Sequence, residues 1–278
     1  MEKTLNLEPK SDAATGEAVA EHLHIYTDCC AVCETDSRGH AMPGGLSSLE
    51  LVVDASEGFV PLWAEAVTLR WRFQEQALLA FEHVEDIKTY VRILLGEGLL
   101  EWGDAAPVRF TEVEDAWDFE IVVMNTNKCF PQGCVTGSAF LPDGGRHEFR
   151  LRPHLFTLPW DRQVTVMAHE LGHIFGLRHF FAELHEAHLP SETLGTHDAF
   201  SIMNYGDEGV MTENDRADLK ELYRLAWSGE MTAINGTPVR LVRPFSEGRI
   251  QNPTLDPLVA HQARPSGGRC CCRCCQCC

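Results

Sequence analysis

The segment His169-Glu-Leu-Gly-His-Ile-Phe-Gly-Leu-Arg-His179 concentrates residue types that can do chemistry at spacings that let them cooperate. On a helix, positions i and i+4 share a face, so His169 and His173 can present their imidazoles to one ion. Glu170 lies one residue's rotation away, close enough to hold a water without itself binding the ion. Gly176 can take a left-handed conformation that ends the helix and turns the chain back. His179 then supplies a third nitrogen. Three neutral imidazoles leave one tetrahedral position open, which distinguishes a catalytic zinc from a closed structural one. Zinc in such a site lowers the pKa of a bound water toward about 7, and Glu170 is the general base that takes its proton as the water attacks a carbonyl. The competing explanation is coincidence on an ordinary amphipathic helix. Five fixed residues over eleven positions make that explanation far weaker than it would be for a bare HExxH.

The elements around this segment can be read from periodicity. The motif helix is expected over about 162–175, with Asp161 as its N-cap. A longer helix is expected over about 84–102, where Val84, Ile87, Val91, Leu94 and Leu95 recur at helical spacing. Strands are expected at about 67–73, 108–113, 119–124, 135–141 and 147–155, with one more at 49–54. A third helix is expected from Thr212, a capping residue with an acid three positions on, carrying Leu219, Leu222, Tyr223 and Ala226 on one face. Residues 1–60 read as a loosely structured lead-in, 61–230 as the domain that bears the site, and 231–278 as an extended tail ending in a Cys-rich segment.

The eleven-residue segment matches HExxHxxGxxH, and by it the chain resembles the metzincin clan of zinc metallopeptidases. Ser201-Ile-Met-Asn-Tyr205 is similar to that clan's Met-turn, and Val108–Val113 is similar to the N-terminal subdomain of matrixins. The resemblance spans about 66–227. It implies an α+β, metzincin-like zincin fold. Such a fold has a twisted mixed sheet, two long helices above the active-site cleft, and a smaller, mostly irregular C-terminal subdomain with one helix. It also implies that Met203 floors the site. Tyr205, two residues on, would approach the zinc or the oxyanion, as in astacin-like and serralysin-like members. Phe180 departs from the residues that usually follow the third histidine, so the clan is indicated without a family within it.

These readings converge on a zinc metalloendopeptidase with one Zn2+ on His169, His173 and His179, Glu170 as base, and a protein or peptide substrate. The substrate would add to an exposed edge strand at Gly137–Leu141. One alternative is a zinc-holding protein that binds peptides without cleaving them. Another makes the tail, Cys270–Cys278, the active part, through soft-metal binding or through acylation that tethers it to a membrane. A disordered tail without such chemistry is the favoured reading of that segment. His185 and His188, with Glu183 and Glu186, read as a solvated loop rather than a second metal site. Cys29, Cys30 and Cys33 lie on the side of the domain where matrixins carry a latency cysteine, but their surroundings do not match it. Cys129 and Cys134 could bridge or stay free.

The formal net charge of −18, from 23 Lys and Arg against 41 Asp and Glu, excludes the basic footprint that nucleic acid requires. No stretch reaches the run of about 18 apolar residues that a membrane span needs. With no apolar leader after Met1, the expected location is cytoplasmic.

Overall fold

The computed structural model describes residues 5, 7, 10, 31–33, 51–55, 57–130, 133–179, 191–194, 200–204 and 209–251. Phe180, Glu183, His185, Glu186, His188, Tyr205, Cys29, Cys30 and Cys270–Cys278 lie outside them. The fold is α+β, built on a seven-stranded mixed sheet.

Along the chain, β1 (Ala31–Cys33), β2 (Leu51–Asp54) and β3 (Val60–Trp63) precede β4 (Thr68–Phe73). A short α1 (Glu75–Leu78) and the long α2 (Val84–Trp102) follow, then β5 (Arg109–Glu112) and β6 (Phe119–Val123). A hairpin of β7 (Cys129–Phe130) and β8 (Gly133–Ser138) leads to β9 (His147–Leu151) and the motif helix α3 (Trp160–Ile174). Beyond the motif come β10 (Ser191–Leu194), α4 (Glu213–Ser228), the ribbon β11 (Ala233–Ile234) with β12 (Thr237–Val242), and α5 (Phe245–Gln251).

In the main sheet the order is β1-β8-β9-β6-β4-β5, with β7 also paired to β8. The strands β9, β6, β4 and β5 run parallel, while β8 is antiparallel to β9. Phe119, Ile121, Phe149 and Leu151 enter the core from the central strands, where Leu94, Met167 and Leu171 of the two long helices meet them. Those helices approach closely at Gly98, where an added Cβ would fall 2.6 Å from Met167 Cγ. Trp102 Nε1 donates to Ala168 O at 2.8 Å, and Tyr90 Oη donates to Gln163 Oε1 at 2.9 Å, fixing α2 on α3.

Several expectations are corrected. The N-cap of α3 is Pro159, not Asp161, which sits inside the first turn. There its carboxylate still suits the positive end of the helix. The chain after Ser228 is not extended over 233–251. It pairs β12 in parallel with β3, and Ser246 of α5 is fully buried. The proline that hides β3 from a sequence reading, Pro61, is tolerated because β3 lies at the edge of its three-stranded sheet.

The expectation of a free edge at Gly137–Leu141 is also overturned. The strand ends at Ser138, its Gly137 pairs with Leu151 on one side, and β1 covers residues 134–137 on the other, with Cys33 opposite Gly137. A segment far earlier in the chain, Ala31–Cys33, supplies that cover, and no local pattern signals it. Cys129 and Cys134 form a disulfide across the β7–β8 hairpin. Among the described residues no helix is long and apolar enough to cross a membrane.

Candidate metal centre

One turn of α3 separates His169 from His173, and the chain reverses after Phe175 to bring up His179. The reversal is a Schellman closure. Gly176, at φ 93°, donates its N–H to His173 O at 2.8 Å, and Leu177 N–H donates to Gly172 O at 3.0 Å. The remaining carbonyls at the helix end are met by distant side chains. Trp63 Nε1 donates to Ile174 O at 2.6 Å, and Tyr223 Oη donates to Phe175 O at 3.0 Å. Burial pushes the Tyr223 phenol well above its ordinary pKa, so it remains a donor. After the turn, Leu177 bridges to Val53, and Arg178 N–H donates to Val52 O at 2.8 Å. Strand β2 therefore guides the chain into His179.

The three imidazoles converge. Their ring centroids lie 5.0, 5.1 and 4.8 Å apart, and one ligand atom from each lies within 4.8 Å of the others. His169 Nε2 and His179 Nε2 are 3.1 Å apart. A tetrahedral zinc with bonds of about 2.0–2.1 Å sets its nitrogens about 3.3 Å apart, so the spacing fits that ion.

The outer nitrogens fit as well. His169 Nδ1 lies 2.7 Å from Ile202 O, and His173 Nδ1 lies 2.8 Å from Leu177 O. A carbonyl only accepts, so each Nδ1 carries the proton and each Nε2 offers its lone pair inward. Two backbone carbonyls thus select the tautomer a metal requires.

Met203 is buried beneath this turn. Its sulfur packs so closely on the Cα of Gly172 that a methyl there would overlap Sδ. The segment is held by Asp215 of α4. Ser201 Oγ donates to Asp215 Oδ1 at 2.6 Å, and Ile202 N–H donates to Oδ2 at 3.1 Å. Thr212 and Asp215 also form the expected capping box. The cap was legible in the sequence. Its second task, fixing the carbonyl that orients His169, was not, because the spacing between Ser201 and Asp215 signals nothing by itself.

Glu170 is buried, with 1% of its surface exposed, and lies against the backbone of β8 at Gly137. Among the described residues, the three histidines form the one group of His, Cys, Asp or Glu able to hold a metal. Of the residues singled out from the sequence, His169, Glu170, His173, His179 and Met203 are brought together, and Tyr205 falls outside the described residues.

No family model and no curated protein matches the chain. Among solved structures it is similar to myroilysin, at 14% identity over 62% of this chain and 98% of that one, with a TM-score of 0.42. A second myroilysin structure gives 12% identity over 68% and 93%, with a TM-score of 0.39. High choriolytic enzyme 1, a hatching enzyme zinc-protease from Oryzias latipes (medaka fish), gives 14% identity over 59% and 94%, with a TM-score of 0.38. In its HExxHxxGxxH segment, in the convergence of its three histidines and in the methionine beneath them, this chain resembles the metzincin zinc metallopeptidases.

Proposed function

We propose that the protein is a zinc-dependent metalloendopeptidase that hydrolyses peptide bonds within polypeptides. The observation that carries this reading is the convergence of three imidazoles, two of them with their tautomer set by a backbone carbonyl, beside the buried carboxylate of Glu170. His169, His173 and His179 would hold the zinc. When bound, zinc supplies a Lewis acid that acidifies water and polarises the scissile carbonyl. Glu170 accepts the proton of the attacking water and returns it to the departing amine. Its enclosed position limits the motion it needs between the two transfers. Met203 sets the depth of the site by filling the space beneath Gly172. Tyr205, one residue past the described Met-bearing turn, is proposed to stabilise the oxyanion.

The test is hydrolysis of denatured casein or a peptide library by the purified protein, with a chelator control. Glu170→Ala should lower kcat by about 10²- to 10⁴-fold while zinc content stays at one per chain. Equal activity in the two proteins would remove the mechanism. The rival reading, a zinc-holding peptide binder, requires peptide binding without turnover in both. Deleting residues 270–278 addresses the tail, since retained hydrolysis assigns the activity to the domain.

A further inference from the structure

We infer that Gly137 is a positioning residue whose missing side chain leaves the space in which the Glu170 carboxylate is held. Glycine weakens a strand, because it loses more conformational freedom on folding and has no side chain to pack. Gly137 nevertheless lies inside β8, and it is not among the residues with positive φ, so its backbone does not demand glycine. What demands it is the neighbour. An added Cβ would fall 3.0 Å from Glu170 Oε1 and 3.2 Å from both Cδ and Cγ. The conflict runs along the whole acidic arm and not merely its tip, so rotation of the carboxylate alone does not relieve it.

Both partners are held by neighbouring elements. Gly137 is paired to Leu151 of β9 and to Cys33 of β1, which holds the strand from both sides. Glu170 is enclosed, and its helix is fixed by His169 and His173 through their carbonyl partners. The strand backbone therefore acts as a wall for the base. A methyl at 137 displaces the Glu170 side chain by a few tenths of an ångström, while the histidines, oriented from other elements, stay in place.

The catalytic consequence rests on the proposed function, whereas the packing relation does not. In Gly137→Ala, kcat should fall about 10- to 100-fold, with KM within about 2-fold and zinc content unchanged. A strand weakened in general would change stability and zinc content without this split. The activity-independent measurement is a thermal double-mutant cycle with Glu170→Ala. Gly137→Ala should lower the melting temperature by about 2–4 °C in the parent protein, and should have no such effect once Glu170 is shortened.

An equal loss in both backgrounds, or a Gly137→Ala enzyme with full kcat, would overturn the inference. If Gly137→Ala alone fails to fold, folding of the double variant supports it and failure of the double variant overturns it. If the parent protein hydrolyses nothing, the proposed function fails, and the thermal cycle still decides the relation between Gly137 and Glu170.

Discussion

At the scale of single residues, the site depends on groups that never face the metal. Ile202 O and Leu177 O select the tautomers of His169 and His173, and Asp215 holds Ile202 in turn. Asp215→Ala leaves the three histidines intact but releases the Ser201–Met203 segment. Zinc affinity should then fall about 10- to 100-fold, as measured by competition with a chromogenic chelator. Unchanged affinity would show that the turn is held without Asp215. Gly172→Ala acts on the same turn from the other side, because its methyl would displace Met203.

At the scale of elements, the α3–turn–His179 unit is constrained from several sides. Gly176 combines a left-handed φ with close neighbours, since a Cβ there would meet Leu62 Cδ2 and Pro142 Cγ at 3.3 Å. Gly176→Ala should cost about 1–2 kcal/mol from the backbone conformation alone, seen in denaturant unfolding, and should weaken zinc binding by shifting His179. Strand β1 makes a different kind of constraint. While it pairs with β8 over residues 134–137, an incoming peptide cannot form those backbone bonds. Deleting residues 1–35 should therefore raise kcat/KM on long peptides, chiefly through a lower KM, in a steady-state assay. An unchanged KM would mean that substrate does not use this edge.

At the scale of the whole molecule, the C-terminal ribbon and α5 close the domain onto the sheet. Asp118, buried at the start of β6, accepts from Arg70 N–H at 2.8 Å, from Ser246 N–H at 2.6 Å and from Ser246 Oγ at 2.9 Å. Burial raises its pKa above the ordinary carboxylate value, and the hydrogen bonds only partly oppose that shift. With the folded pKa above the unfolded one, the folded state holds the proton more tightly. The associated stability is present below the unfolded pKa and is lost as pH rises through the folded value. Asp118→Asn should remove this component from the pH dependence of the melting temperature. It should also lower stability by about 1–3 kcal/mol, because an amide cannot accept all three bonds. A variant with the parent's pH profile would assign the titration elsewhere.

The sequence by itself determined the spacing that sets His169, Glu170 and His173 on one helical turn, and the long helix at 84–102, whose bounds the structure reproduces. It also determined the capped helix after Thr212. Each of these is written in local spacing, and a helix converts spacing into a shared face without help from the rest of the chain. The tertiary structure alone decided the tautomers of His169 and His173, the wall that Gly137 makes for Glu170, the anchoring of the metal-site turn by Trp63 and Tyr223, and the covering of β8 by β1. It decided the C-terminal ribbon as well, which a sequence of little periodicity disguised as a tail. These are meetings of residues far apart in the chain, as where Val60 of β3 pairs with Val239 of β12. Chain closure over such lengths leaves no periodic trace in either segment, so the partners become visible only after the fold has brought them together.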